Sequence, residues 1–286
     1  MAIASFAVST IIFQGQSSRI FVEQGRLGNE ILNPISIGHQ SVSLALICLE
    51  RLSIINRLNK SNVKESKRNN IFYVIINISL MIFGISLVIF AASRSPIIAI
   101  FICGSLFLIK LQRQGFNIFK TISFIVVLIV VVNFALGFAL DSGSSLLERF
   151  ASTLNGDEFY DGRFIQRPEL YQMAMQLIND NLATGYGLEI PHIGYPHNLI
   201  LEAFLSTGLF GGCLFVIIYV YALVKSIKLF FNRKSSWGWL GLLYIQYAIG
   251  GMFSGNLYGY YIFWYLLFAI IGLKENFKPR LINNHM

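Results

Sequence analysis

Long apolar runs, separated by short polar segments, are the dominant pattern along this chain. The runs are continuous rather than alternating, and a membrane-spanning helix needs about 20 apolar residues. They therefore predict helices that cross a membrane and not strands. A weak run covers residues 34–49, and clearer runs cover residues 71–92, 97–109, 121–140, 199–224, 237–254 and 257–273. We predict an all-α integral membrane protein, a polytopic helical bundle of about seven full spans plus a partial N-terminal one.

The N-terminal apolar run, within residues 1–15, is short for a span. It has no basic segment and no small-residue cleavage pattern, so a cleaved signal peptide is not expected. We expect instead that the first span is cropped, or that the chain begins part-way into a larger protein.

Charged residues lie mainly in the segments between the apolar runs. With 55% hydrophobic and 13% charged residues, against roughly 25% charged residues in soluble proteins, the chain is not a soluble domain. The net charge of +8 would suit nucleic-acid binding, but the cations are distributed as topology determinants are, and no nucleic-acid partner is expected. Cys48, Cys103 and Cys213 fall inside apolar runs without metal-type spacing and are expected to be free thiols.

The positive-inside rule orients the predicted spans. Basic segments at about positions 50–70, 110–120 and 225–234 are assigned to cytoplasmic loops. The long polar segment 141–196 carries eight of the 14 acidic residues and is assigned to the outside. The chain then divides into N-terminal membrane helices (1–140), an extracytoplasmic loop (141–196), C-terminal membrane helices (197–273) and a cytoplasmic tail (274–286).

In this topology all ten lysines lie inside, and the six outer cations are all arginines. A guanidinium group is a planar fork that binds phosphate oxygens through two hydrogen bonds, which an ammonium group cannot do. The pattern indicates an outer face that handles a diphosphate. Interfacial arginines that extend to water or pair with nearby acids would give the same pattern. The six are Arg19, Arg26, Arg94, Arg149, Arg163 and Arg167.

A short amphipathic helix is predicted within the outer loop, from Pro168 to about Asn179. Its apolar residues are spaced to form one face, which would lie on the outer membrane surface. Arg163 and Arg167 precede its N-terminus, which is a natural anion site, although capping charges on an ordinary surface helix fit equally well. The apolar residues are Leu170, Met173, Leu177 and Ile178.

Two turns rich in Gly and Pro, residues 185–187 and 191–196, lead to His197 at the start of the next apolar run. A histidine there could accept a proton from a sugar hydroxyl near neutral pH; the alternative is a histidine that only hydrogen-bonds at the interface. Glu202 lies just over one turn farther on, and an ionisable residue within a span is a functional candidate. His192 and His197 have no third ligand at suitable spacing, so no metal site is expected.

Two sets of glycines have the spacing of close helix–helix contacts and are interpreted as structural. They are Gly208-x-x-x-Gly212 and Gly251-x-x-x-Gly255-x-x-x-Gly259. The sequence contains no Walker, G-x-G-x-x-G, H-E-x-x-H or G-x-S-x-G motif. It therefore gives no support to an intramembrane protease or a nucleotide-driven pump.

An ordered set of short motifs resembles the superfamily of O-antigen polymerases and O-antigen ligases. The resemblance covers roughly residues 26–212, and members of the family are usually longer, with more spans before the first motif. The motifs are Gly28-Asn29-Glu30 with Asn33-Pro34, Ser93-Arg94-Ser95, Arg163, Gly185-Tyr186-Gly187, His197-Asn198-x-x-Leu201-Glu202 and Gly208-Leu209-x-Gly211.

The resemblance implies an inverting, metal-independent membrane glycosyltransferase that needs no cofactor and uses an undecaprenyl-diphosphate-linked glycan as donor. It implies a place in the bacterial inner membrane with the active site facing the periplasm. It also implies that Arg94 and Arg163 hold the diphosphate and that His197 lies near the acceptor hydroxyl. Residues expected less directly to bind substrate are Arg26, Arg167, Tyr186, Asn198 and Glu202.

Polymerase and ligase share this chemistry and differ in the acceptor. A polymerase extends glycan repeats on the lipid carrier, whereas a ligase joins the finished chain to the lipid A core. We favour the polymerase, because a sequence rich in Lys, Asn and Ile is typical of polysaccharide gene clusters. Its expected partners are lipid-linked glycans, the lipid bilayer and a chain-length regulator. Alternatives from other classes are a membrane transporter of the same pathway and a non-catalytic membrane subunit.

Overall fold

The computed structural model describes residues 33–60, 67–113, 159–160, 163–164, 167–232, 235 and 237–274, with some helical positions between 122 and 141. Arg19, Arg26 and Arg149 lie outside the described residues. Strand β1 (Phe159–Tyr160) pairs antiparallel with β2 (Arg163–Phe164). The helices are α1 (Pro34–Lys60), α2 (Lys67–Phe90), α3 (Arg94–Arg113), α4 (Arg167–Asp180), α5 (Leu199–Phe231), α6 (Gly238–Gly251) and α7 (Tyr261–Gly272).

Helix α6 is the centre of the bundle. It contacts α1, α3, α5 and α7, and all of its residues except Trp239 and Ile249 are buried. Leu242 packs with α1 and α3, and Tyr244 packs with α5 and α7. A helix that is apolar on every side is expected in the interior of a bundle. The N-terminal and C-terminal helices therefore share one core.

Helices α1, α3, α5 and α7 all begin at the same end of the bundle, which we call the upper end. Near the start of α1, a Cβ atom on Gly38 would lie 2.5 Å from a ring carbon of Pro96, near the start of α3. Leu199, which begins α5, lies against Gly251 at the end of α6. At the opposite, lower end, Lys225 of α5 donates to the carbonyl oxygen of Leu273 just after α7, at 2.9 Å. These helices are therefore parallel to one another.

Three described helices are long and apolar enough to cross a membrane: Ile71–Phe90, Arg94–Arg113 and Leu199–Phe231. Large apolar side chains on their surfaces are exposed, including Phe101 at 75% and Phe210 at 76%, which suits a lipid environment. Helix α7 is apolar but has 12 residues. The fold is thus that of a helical membrane protein, and the total of about seven spans stays a prediction.

The prediction that a loop begins at Glu50 is wrong, and the short run 97–109 extends past Lys110. Helix α1 continues through Glu50 to Lys60, and α3 continues through Lys110 to Arg113. The Lys110 Nζ lies 2.7 and 2.9 Å from the two carboxylate oxygens of Glu50, and it lies 4.2 Å from the centre of the Phe230 ring. Because the two buried charges neutralise each other, both helices continue past positions that hydropathy alone marks as loop.

Helix α5 bends at Gly208, whose φ of 68° and ψ of −165° are not helical. The interpretation of Gly208 and Gly212 as a helix-packing pair is therefore wrong. We call residues 199–207 the upper arm of α5. The remainder, residues 209–231, is about 34 Å long at 1.5 Å per residue, which is enough to cross the roughly 30 Å apolar core of a bilayer. The upper arm is therefore not needed for the span.

The second glycine set is not a helix-packing stripe either. Helix α6 ends at Gly251, and Gly255 and Gly259 lie in the α6–α7 connection, residues 252–260. A Cβ atom on Gly255 would lie 2.8 Å from the Gly251 Cα atom. These glycines allow a compact connection that packs against the end of its own helix.

The amphipathic helix predicted in the outer loop is present as α4. Its buried residues Leu170, Ala174 and Ile178 pack against the upper arm of α5, so protein covers this face. Met173, predicted to belong to the apolar face, is 37% exposed, because the buried positions follow a spacing of four residues. Contact between α4 and the membrane surface stays a prediction.

Candidate active site

The turn at residues 185–187 is bonded to the bend in α5. The backbone N–H groups of Tyr186 and Gly187 donate to the Leu205 carbonyl oxygen at 2.7 and 3.2 Å, and the Leu209 N–H donates to the Leu182 carbonyl oxygen at 2.7 Å. A Cβ atom on Gly185 would lie 2.6 Å from the Ser206 backbone. The bend exposes backbone groups that an unbroken helix would satisfy internally, and the turn supplies their partners.

His197 has a left-handed backbone with a φ of 55°, which is strained for a residue with a side chain. Asn198 follows it as the cap of α5: its Oδ1 accepts hydrogen bonds from the N–H groups of Ile200 and Leu201, both at 3.1 Å. The Asn198 Nδ2 donates to the Met252 carbonyl oxygen at 3.4 Å. His197 is thus held at the junction of α5 and the α6–α7 connection.

A series of contacts leads from His197 through two tyrosines to a glutamate. The Tyr195 ring lies 4.3 Å from the His197 ring and 6.4 Å from the Tyr258 ring, both in edge contacts. The Tyr258 hydroxyl donates to Glu189 at 3.3 Å. Burial, with a smaller contribution from Tyr258, raises the pKa of the Tyr195 hydroxyl above its ordinary value. Tyr195 therefore remains a neutral hydrogen-bond donor beside the histidine.

Glu202 is fully buried in the first turn of α5. Neither carboxylate oxygen has a hydrogen-bond partner among the described residues, and the Leu257 backbone lies nearby. A buried carboxylate without a partner is energetically costly, and the start of a helix favours negative charge. Glu202 is therefore a buried polar group at the start of α5 whose partner the described residues do not supply.

His39, within the weak apolar run of residues 34–49, is a buried polar residue at the upper end. Its Nε2 lies 3.0 Å from the Ser95 hydroxyl, and its carbonyl oxygen accepts from Gln246 at 2.7 Å. Ser43 also donates to this carbonyl oxygen, at 2.9 Å. The available signal was the weakness of the run itself, since polar residues at helix positions 39, 40, 41 and 43 predict an internal polar cluster.

The α6–α7 connection joins the His39 cluster to the start of α5. A Cβ atom on Gly250 would meet the His39 ring and would lie 2.6 Å from the Tyr260 hydroxyl. A Cβ atom on Gly251 would meet the Leu199 side chain and would lie 3.2 Å from the Tyr260 ring. Tyr260 and the two glycines thus connect α1 to Leu199, the first residue of α5.

The predicted arginines differ in how far the structure describes them. Arg94 is the first residue of α3, is partly buried, and precedes the Ser95 that contacts His39. Arg163 lies in β2, opposite Tyr160, and Arg167 is the first residue of α4. Arg26 lies outside the described residues. Since α4 packs on the upper arm, the backbone that carries Arg167 is attached to the same end of the bundle as His197.

The upper end therefore brings together most of the described candidate residues. Arg94, His197, Asn198 and Glu202 all lie at or near helix starts there. Tyr186 is 44% exposed on the turn that binds the upper arm. Helix starts carry partial positive charge and attract anions. This arrangement suits a ligand that has both a phosphate group and a polar, hydroxyl-bearing group.

Comparison with protein families matches residues 79–216 to the family described as O-antigen ligase (Wzy_C). The matched segment covers slightly less than half of the chain and includes Arg94, Arg163, His197 and Glu202. Comparison with curated proteins and with solved structures gives no match. The family match confirms the resemblance to the O-antigen polymerase and ligase superfamily. It supports a membrane glycosyltransferase of that type and does not distinguish polymerase from ligase.

Proposed function

We propose that this chain, whose residues 79–216 match the O-antigen ligase family, is an O-antigen polymerase. It transfers a glycan from undecaprenyl diphosphate to the end of a lipid-linked repeat unit, with inversion at the anomeric carbon and without metal or cofactor. It acts in the bacterial inner membrane, with its active site facing the periplasm. Its partners are the lipid-linked glycans, the bilayer and a chain-length regulator.

One observation carries the proposal: Arg94 and His197 lie at the same end of one helical bundle. The contacts run from Ser95 to His39, from His39 to Gly250, and from the adjacent Gly251 to Leu199, the second residue after His197. A guanidinium group and an imidazole at one polar helix end meet the needs of a reaction with a diphosphate leaving group and a hydroxyl nucleophile.

The diphosphate takes up negative charge as its bond to the anomeric carbon breaks. In the proposed mechanism Arg94 and Arg163 bind its oxygens, and the start of α3 adds partial positive charge. His197 accepts the proton of the attacking acceptor hydroxyl as its oxygen bonds to the anomeric carbon. The products are the extended glycan, the released undecaprenyl diphosphate and a protonated histidine that returns its proton to solvent or to the diphosphate.

The remaining predicted residues take different roles in this proposal. Arg167 and Arg26 add to the positive charge near the diphosphate, and Tyr186 contacts the glycan from its exposed position on the turn. Both functional atoms of the Asn198 amide are already hydrogen-bonded within the protein, so we assign Asn198 to positioning His197. Glu202 accepts hydrogen bonds from substrate hydroxyls.

An O-antigen ligase is the second candidate, and the description of the matched family favours it. The chemistry on the donor side would be the same, and only the acceptor would change to the lipid A core.

Complementation separates the candidates. Expressed in a polymerase-deficient strain that makes the cognate repeat unit, the chain should restore a lipopolysaccharide ladder in place of a single-repeat band. Deletion of the native gene should leave core with one repeat if the protein is a polymerase, and core without any repeat if it is a ligase. Failure to restore either pattern, with the protein present in the membrane, would contradict both.

A further inference from the structure

A pocket opens at the upper end between the start of α1 and the start of α7. Its empty volume is about 380 Å³, part of it open to the surroundings. His39 and Ser36 of α1, Tyr247 of α6, and Tyr260 with Tyr261 at the start of α7 lie in its wall. The pocket lies outside the segment matched to the O-antigen ligase family, which begins at residue 79 and ends at residue 216.

The polar groups of this pocket are only partly satisfied by the protein. The His39 Nε2 is bonded to Ser95, but the His39 Nδ1 and the Tyr260 hydroxyl are buried without a hydrogen-bond partner among the described residues. The Tyr247 hydroxyl lies close to Ser43 and is likewise buried without a hydrogen-bond partner among the described residues. Buried polar groups are nearly always hydrogen-bonded in native proteins, so three exceptions in one pocket wall indicate groups that a ligand can satisfy.

Aromatic rings give the pocket flat apolar surfaces in fixed positions. The centres of the His39 and Tyr247 rings are 5.5 Å apart. Tyr260 lies edge-on to His39 at 6.5 Å and stacks on Phe263 at 6.1 Å with an interplanar angle of 13°. Because Phe263 is fully buried, this stacking holds Tyr260 in place. Flat apolar rings with polar tips suit a ligand that is itself apolar on one face and polar at its rim.

Among the described residues, no side chain that lines the pocket carries a formal charge, apart from the ionisable ring of His39. A phosphate or carboxylate would find no arginine or lysine there, so an anionic ligand is disfavoured. A pyranose ring meets the remaining requirements, because it presents C–H groups on its faces and hydroxyl groups at its edge.

We propose that the pocket between α1 and α7 binds one neutral pyranose unit of the lipid-linked glycan, through hydrogen bonds to His39 and Tyr260. The assignment rests on the proposed function for the identity of the glycan. It also adds a sugar subsite next to Arg94, because His39 is bonded to the residue that follows this arginine. Sugar and diphosphate would then be bound by neighbouring residues, Ser95 serving as the link.

Binding of simple sugars to the purified full-length protein tests this proposal. The probes are the methyl pyranosides of glucose, galactose, mannose and N-acetylglucosamine, measured by saturation-transfer NMR titration in detergent, with inorganic diphosphate as the contrasting probe. Tyr260→Phe should weaken the best glycoside about 3- to 10-fold, the effect of one lost hydrogen bond. Tyr265→Phe, five residues farther along in α7 and with an exposed ring, should not change it.

The stability of the variant separates ligand binding from a structural role. Tyr260→Phe removes a buried hydroxyl without a partner, so thermal unfolding in detergent should occur at the same or a higher temperature. Unchanged glycoside binding, no binding to the wild-type protein, or a clear loss of stability would each overturn the proposal. Arg94→Lys should weaken diphosphate binding and leave glycoside binding intact, so failure of the proposed function and failure of this inference give different results.

Discussion

His197 is fixed by its own backbone and by the residues on both sides of it. Its left-handed conformation, the Tyr195 ring at 4.3 Å and the Asn198 cap together restrict the imidazole. Strain of this kind persists only where the surrounding structure enforces it, and it is concentrated at functional sites. The imidazole of His197 is therefore held in position, and its role as a general base stays a prediction.

Replacing His197 with Ala should lower polymerisation about 100-fold or more, the usual contribution of general acid–base catalysis. The measurement is the length distribution of the glycan in cells that lack the native enzyme, with protein levels in the membrane checked by immunoblot. His192→Ala is the matched control, because His192 lies in the same loop, also has a positive φ of 63° and is exposed. Equal ladders from the two variants would remove His197 from the mechanism.

Both the backbone conformation and the lack of space for a side chain require a glycine at position 208. Its φ of 68° is a conformation that favours glycine, and a Cβ atom there would lie 2.6 Å from the Leu182 carbonyl oxygen. Gly208→Ala should therefore lower the free energy of unfolding by roughly 1–3 kcal/mol and disturb the turn that carries Tyr186. Thermal unfolding in detergent is the measurement.

Gly104→Ala is the control for that prediction. Gly104 lies within α3, and nothing lies within 4 Å of an added Cβ atom. Alanine there should leave stability unchanged or raise it by up to about 1 kcal/mol, since alanine is the better helix former. Similar effects of the two substitutions would mean that the bend in α5 is not fixed by Gly208.

At the scale of elements, the Glu50–Lys110 pair ties α1 to α3 near the lower end. The two side chains are 4% and 3% exposed, and removing one partner leaves an uncompensated buried charge. Lys110→Met alone should therefore lower the free energy of unfolding by about 3–5 kcal/mol. The double variant Glu50→Gln with Lys110→Met should recover most of this loss. A single variant as stable as the wild-type protein would show that the pair is not buried.

Helices α2, α3, α4 and the start of α5 could be predicted from the sequence, because apolar runs, Pro168 and Asn198 mark them directly. Other features depend on contacts between distant residues. The length of α1 depends on Glu50 meeting Lys110, and the polar cluster depends on His39 meeting Ser95 and Gln246. Glycine spacing failed as a signal, because the same residue serves both close helix packing and a positive φ.

At the scale of the whole molecule, four parallel helices among the described residues begin at the upper end, and the candidate polar residues lie there. The candidate residues of the site come from α3, α5 and the approach to α4, and α1 and α7 add the proposed sugar pocket. Nothing in the linear sequence places α1 beside α7, so the pocket could not be predicted before the fold was known. The family match includes α3, α4 and the first part of α5, and it includes neither α1 nor α7.

The central claim is that guanidinium groups at the upper end hold the diphosphate, and Arg94→Lys tests it most directly. Lysine keeps the charge but cannot bind phosphate oxygens as a planar fork. The control is Arg113→Lys, at the other end of α3, where the guanidinium lies 4.8 Å from the centre of the Phe231 ring. Measured as the lipopolysaccharide ladder in a strain without the native enzyme, Arg94→Lys should lose most polymer while Arg113→Lys keeps it. A normal ladder from Arg94→Lys, with equal protein in the membrane, would contradict the account.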